Sequence, residues 1–164
     1  MGSHGLFTLI LLICFIPNSA LAGYSDISTL FNLRDAVTEG KGFLRNWFDS
    51  ETPPCNWSGI ACVGHTVVKI DLSSVPIYTP LPLCVGSFQS LVLLNFSGCG
   101  FSGELPDAWG NLHNLRYLDL SHNQLTGVLP VSLYGLKRLQ ELVLDNNDFS
   151  GQLSPAIAQL QYLK

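Results

Sequence analysis

At 164 residues the chain has the size of one folded domain, and 47% hydrophobic against 12% charged residues excludes intrinsic disorder. Twelve acidic residues against eight Lys and Arg leave a net charge of −4. The basic residues are scattered with no run to track phosphates, which argues against a nucleic-acid partner.

The first predicted element is a targeting segment. Leu6 to Ile16 reads LFTLILLICFI and is followed by Pro17-Asn18-Ser19 and by Ala20-Leu21-Ala22, a small-x-small ending suited to cleavage before Gly23. That apolar run is shorter than the about 20 residues a membrane helix needs. Its n-region lacks Lys and Arg, but the pattern still predicts a signal peptide over residues 1–22, removed with Cys14. The mature chain is then expected in the secretory pathway, extracellular or at the cell surface.

Residues 23–66 are expected to form an N-terminal cap. Asp26 is placed to cap a helix whose apolar face is Ile27, Leu30, Leu33 and Val37, and Gly40 and Gly42 should end it. Trp47 and Trp57 follow in FLRNWFDSETPPCNWSGIAC. The mature cysteines are Cys55, Cys62, Cys84 and Cys99, which allow three pairings between which sequence does not choose. Cys55 and Cys62 are the favoured pair, because they lie seven positions apart in a segment rich in Pro, Asn and Gly. Cys84 and Cys99 fall on different sides of a coil, so Cys84 reads as a small buried apolar residue. No second close cysteine pair or ordered histidine set suggests zinc, and no cofactor is expected.

From Val67 the chain repeats every 24 residues: VVKIDLSSVPIYTPLPLCVGSFQS, LVLLNFSGCGFSGELPDAWGNLHN, LRYLDLSHNQLTGVLPVSLYGLKR and LQELVLDNNDFSGQLSPAIAQLQY, with Leu163-Lys164 beginning a fifth coil. This period lies in the range of leucine-rich repeats. Apolar residues at positions four and six have strand spacing, so Leu118 and Leu120 should face inward and Tyr117, Asp119 and Ser121 outward. Asn123 and Asn147 hold position nine, where a buried amide can satisfy backbone groups as the strand turns away. Val75 and Cys99 stand there in coils one and two, and a thiol is only a weak donor. Gly103, Gly127 and Gly151 are expected to allow a bend where a side chain would crowd. Pro106 and Pro130 direct an extended return, and a short 3₁₀ or irregular turn should close each coil on the convex side. The fold class is thus an α/β leucine-rich-repeat solenoid, with parallel β-strands on the concave face, short returns on the convex face and a helical, disulfide-tied cap. Residues 67–164 supply about four repeats, truncated at the C-terminus.

The segments LRNWFDSETPPCNWSGIAC and VVKIDLSS, with LxxLxLxxNxLxGxLP in coil three, resemble the N-terminal ectodomain of plant leucine-rich-repeat receptor kinases. Within that family, DISTLFNLRDAVTEGKGFLRNWFDSETPPC and FSGCGFSGELP are most similar to a rice member of a kind that perceives a small secreted cysteine-rich protein in the developing anther. The resemblance implies a receptor fragment with a secreted peptide, a small cysteine-rich protein or a co-receptor ectodomain as partner. It also implies attachment to a membrane only through a missing C-terminal segment. The 164 residues contain no Gly-rich ATP loop, VAIK lysine, HRD or DFG, and kinase activity does not carry over.

Candidate ligand-facing residues are Arg116, Tyr117, Asp119, His122, Glu141 and Asp145, which place an aromatic, an imidazole and both charge signs on outward strand positions. Lys69, Asp71, Asn95, Ser97 and Asn146 share that face. Against this, the family's ligands usually sit on later coils, and a polar concave face also keeps strands soluble. Asn56-Trp57-Ser58 and Asn95-Phe96-Ser97 are N-glycosylation sequons, and a glycan on Asn95 would obstruct ligands on the first coils. Asp119 with His122 and Asp145 with Asp148 lack a nucleophile or a cleft, so no enzyme is expected. The alternatives to a recognition module are a secreted inhibitor of a cell-wall hydrolase and a nonfunctional truncated remnant. The remnant is suggested by Leu144, Phe149 and Leu153, which no further coil covers.

Overall fold

The inward rows of the repeat become a single core. The computed structural model describes residues 26–164, and the expected signal peptide lies outside the described residues. Helix α1 is Asp26–Ala36, and the strands are β1 Ile60–Val63, β2 Thr66–Asp71, β3 Leu93–Asn95, β4 Ser102–Glu104, β5 Tyr117–Asp119, β6 Gln124–Thr126 and β7 Glu141–Val143. Strands β2, β3, β5 and β7 stack in parallel, with Lys69, Leu93, Tyr117 and Glu141 in register, and β1 pairs antiparallel with β2. Each lateral step is therefore one 24-residue coil. Ile70, Leu72, Leu94, Phe96, Leu118 and Leu120 are all at most 1% exposed. Burying one such side chain contributes about 1.5–3 kcal/mol. Their equivalents in coil four, Leu142 and Leu144, are only half-buried, as is Phe149, and Leu153 is exposed.

A second sheet was not legible in the spacing. Strands β4 and β6 pair in parallel beside the main sheet, and Pro80 forms a bridge to Ser102. Of the glycines at position thirteen, Gly103 lies in β4, Gly127 just beyond β6 and Gly151 at the equivalent place in coil four, and all have positive φ: 82°, 74° and 78°. Crowding does not explain Gly103, since a Cβ there would meet nothing within 4 Å. The left-handed backbone is the common requirement. On the convex side, 3₁₀ turns recur at Leu83–Ser87, Asp107–Asn111, Val131–Gly135 and Pro155–Gln159.

Position nine controls the turn away from each strand. Asn123 Nδ2 donates to the carbonyls of Phe96, Leu120 and Ser121 at 2.8–3.0 Å, and its Oδ1 accepts from Phe101 N at 2.9 Å. Asn147 repeats the pattern one coil later, donating to Leu120 O and accepting from Leu125 N. Cys99 fills the donor half of the role, with Sγ 2.9 Å from Leu72 O. It has no amide oxygen for the acceptor half. The Cys99 backbone carbonyl takes over that function by accepting from Ile77 N at 2.8 Å and Tyr78 N at 3.2 Å. Burial pushes the Cys99 thiol up to about 12, so it stays protonated.

The cap is built from aromatic rings. Helix α1 buries Leu30 and Leu33, and after its end at Ala36 a 3₁₀ turn over Thr38–Gly42 carries the chain on. Gly40 packs close against the first coil, where a Cβ would stand 3.0 Å from Val75 Cγ1 and 3.2 Å from Ile77 Cγ1. Trp47 and Trp57 stack with centroids 5.0 Å apart, and Phe31 meets Trp57 edge-on at 5.4 Å. Their indole nitrogens donate to Ser58 O and Thr52 O, so neither buries an unpaired donor. The Cys55–Cys62 disulfide ties the loop carrying Trp57 to β1. Cys84 and Cys99 are buried outside it. Asp26, expected as a helix cap, has a longer-range partner: its Oδ2 accepts from Val67 N at 2.6 Å, anchoring the helix to β2.

The two forms of position nine should differ in stability. Asn123→Ala deprives the Phe101 N–H of its acceptor and three carbonyls of a donor, and is expected to cost about 3 kcal/mol. Cys99→Ala removes a weak donor and should cost about 1 kcal/mol or less. Urea unfolding of the secreted mature chain compares them, and equal losses would show that the amide has no special role.

Candidate recognition face

The concave sheet presents its outward side chains in rows because the strands are in register. One row runs Lys69, Leu93, Tyr117, Glu141, and the next Asp71, Asn95, Asp119, Val143. The second row has a structural task. Asp71, Asn95 and Asp119 each accept through Oδ1 from the backbone N–H two residues on, at Ser73, Ser97 and Ser121, with distances of 3.3, 3.0 and 2.9 Å. These Asx turns bend the chain out of the strand. The hydroxyls of Ser73 and Ser121 reinforce two of them at 2.9 and 2.7 Å. Ser121, expected outward, is buried at 6% exposure by this engagement.

The candidate residues fall into two pairs and two separate charges. Tyr117 donates its hydroxyl to Asp119 Oδ2 at 3.0 Å. Desolvation, then the hydrogen bond to Asp119 and the charges of Asp119, Glu141 and Asp71, push the phenol up to about 12. His122 lies 3.9 Å from Asp145 Oδ2, and Asn146 Nδ2 donates to the same carboxylate. Arg116 and Glu141 are exposed, with no side-chain hydrogen bond or ion pair among the described residues. Lys69 is already matched by Asp71 at 3.1 Å. Among the described residues no hydrogen bond or ion pair joins Asp119 to His122, whose partners are different groups.

His122 owes its place to the backbone as well. Position eight is left-handed in every coil, with φ of 63° at Ser74, 65° at Gly98, 55° at His122 and 54° at Asn146. Asn and His tolerate this region better than most side chains. The histidine is thus fixed at the rim where the concave face turns over.

Apolar residues on this face were missed in the sequence. Leu93 and Val143 occupy outward positions three and five on either side of coil three and are half-buried, while Val92 is 37% exposed. They flank Tyr117 and Asp119 in the two rows. The signal was available, since these positions hold leucine and valine where neighbouring coils hold polar groups. As for the sequons, Asn56 is exposed in the Pro54–Asn56 turn, whose exit is clamped by Asn46 through Asn56 O and Ser58 N. Asn95 stands half-buried in β3.

A parallel sheet built from 24-residue coils, its N-terminal edge covered by a disulfide-tied cap, defines a leucine-rich-repeat scaffold. Residues 24–63 match the family model "Leucine rich repeat N-terminal domain" and residues 89–149 match "Leucine rich repeat". The chain is 73% identical over 105 residues to the leucine-rich repeat receptor protein kinase MSP1 of Oryza sativa subsp. japonica, covering 64% of this chain and 8% of that protein. To the receptor protein kinase MSL1 of the same organism it is 68% identical over 99 residues, 60% of this chain and 7% of that one. The BIR2 ectodomain of Arabidopsis thaliana superposes with a TM-score of 0.79 at 30% identity, covering 87% of this chain and 78% of that one. Two similar structures are complexes. BIR3 with SERK2 from Arabidopsis thaliana gives a TM-score of 0.76 at 26% identity over 84% and 77% of the chains. PEPR1 with AtPEP1 gives 0.70 at 31% identity over 83% and 20%. The chain belongs to the leucine-rich-repeat family, as an extracellular module of the plant receptor-kinase ectodomain type, and it spans less than a tenth of the rice kinases it matches.

The Tyr117 environment makes an alkaline prediction. Its folded value is raised above the ordinary phenol value of about 10, so the stability it contributes is full below pH 10 and lost as pH rises towards 12. Ultraviolet difference titration of the wild type against Tyr117→Phe should show one phenol ionising near pH 12. Ionisation of that phenol near pH 10 would contradict the arrangement.

Proposed function

We propose that the chain is a recognition module whose concave face over coils two to four docks an extended secreted peptide or a loop of a small cysteine-rich protein. The observation that carries this is the pair of in-register rows in which Tyr117 is flanked by Leu93 and Glu141, beside Asp119 and Val143. Apolar side chains supply contact area, and carboxylates at the margin select a ligand with basic residues. Arg116 and the His122–Asp145 pair bound the patch. The complexes of PEPR1 with AtPEP1 and of BIR3 with SERK2 support a peptide or a co-receptor ectodomain as the class of partner. The proposal treats residues 23–66 as the cap and 67–164 as the recognition stack. Asn56, exposed on the cap, is assigned a glycan that leaves this face open. A glycan on Asn95 would confine ligand to coil three and beyond.

Site-specific photocrosslinking tests the proposal. A photoreactive phenylalanine analogue at position 117 of the secreted chain, incubated with the proteins of an anther extracellular wash, is expected to yield a discrete adduct with a small secreted protein. The same analogue at Val131, which is 74% exposed on a convex 3₁₀ turn, should not. Glu141→Lys should weaken the captured interaction by about tenfold. Equal capture at both positions, or unchanged affinity in Glu141→Lys, would overturn the concave assignment.

A further inference from the structure

The cations of the coils look dispersed in sequence, but the 24-residue period collects them. His113 and Lys137 share position twenty-three, Arg138 and Tyr162 position twenty-four, and Arg116 and Lys164 position two. All six are exposed, Tyr162 at 62%. They line the edge where each convex turn re-enters the sheet, and successive coils there stand about 4.8 Å apart. The corresponding segments, SFQSLV, NLHNLR, GLKRLQ and QLQYLK, contain no Asp or Glu. Glu141, the nearest acidic residue along the chain, belongs to the concave row.

The positive charge on this edge is both held in place and uncompensated. Lys137 Nζ donates to Gln159 Oε1 at 2.7 Å, and Arg138 Nη1 donates to Asn114 Oδ1. Asn114 is fixed in turn by donating to Gln89 O at 2.8 Å. These partners are neutral amides and a carbonyl. The ion pairs among the described residues, Arg34–Asp35, Lys69–Asp71 and His122–Asp145, lie elsewhere. Amides and a carbonyl from coils one, two and four thus order two cations of coil three without neutralising them.

We propose that this edge binds an acidic polysaccharide of the uronic-acid type. Carboxylates pair with Lys137, Arg138 and Arg116, hydroxyls meet the amides, and the exposed ring of Tyr162 offers a platform for the apolar face of a sugar. An acidic protein surface fits less well, because a stable protein interface needs a broad apolar centre and this edge offers only the ring of Tyr162 and the side chain of Val92. This edge borders the concave rows and shares only Arg116 with the patch proposed there; its test leaves Arg116 unchanged, so it stands or fails independently of that ligand.

The test uses the full secreted chain and polygalacturonate, with dextran and poly-glutamate as the neutral and peptide comparisons. Binding to polygalacturonate is expected to weaken at least about tenfold between 50 and 200 mM salt. The double variant Lys137→Gln/Arg138→Gln should weaken it about tenfold, Tyr162→Ala about threefold, and Arg45→Gln in the cap not at all. Absence of binding, equal loss in Arg45→Gln, or equal affinity for poly-glutamate would each overturn the assignment to a uronic-acid polymer.

Discussion

Each coil must turn out of its strand without leaving backbone amides unpaired inside the core, and the rest of the structure depends on how that is done. Asn123 and Asn147 meet the constraint by giving hydrogen bonds to carbonyls of their own and the preceding coil and accepting one from the preceding coil's backbone after its turn. Their amides fix how one coil sits on the last. Strand register follows, and with it the straight rows of outward side chains. Coil two shows that the constraint is more general than the residue: Cys99 keeps the donor, and its backbone carbonyl supplies the missing acceptor function. The accepting atom is different, but the main-chain partners, the carbonyl of position six and the N–H of position eleven in the preceding coil, are equivalent, and the strand lies in register with its neighbours.

The inward rows could be read directly because burial imposes a strict choice of residue at fixed spacing. Leu118, Leu120 and Leu125 are each 0% exposed, where the period places the core. The second sheet was harder to see. Its strands are three residues long and contain glycine and polar groups, so no alternation of hydrophobicity marks them. Asp26 also escaped a local reading. Its partner, Val67 N, lies 41 positions away, and helix-end rules describe only neighbours along the chain.

The same distinction applies to the candidate site. Asp119 and Ser121 looked available from strand alternation, yet both are committed to a turn that recurs with Asp71 and Ser73 and with Asn95 and Ser97. The hydroxyl of the candidate residue Tyr117 already has a partner, so its ring carries most of what it can offer a ligand. Leu93 and Val143 gain significance for a complementary reason. An apolar residue at an outward position has no core to enter, and its contact surface is left for whatever lies on the face.

The period also separates charge. Outward strand positions bring Asp119, Glu141 and Asp145 to the concave face, whereas the re-entry edge holds Lys137 and Arg138 with no carboxylate in its segments. A chain of net charge −4 therefore presents two surfaces of opposite character. Counting charges along the sequence cannot detect this, since Arg138 lies 24 positions from Asn114 and reaches it, near Arg116 in the chain, only when coils stack. Repeat architecture makes such segregation inexpensive: a substitution at one position of the period changes one face and leaves the core rows and the amide ladder untouched. The concave face and the edge can thus evolve towards different ligands on one scaffold, limited mainly by residues such as Asp119 that the turns themselves require.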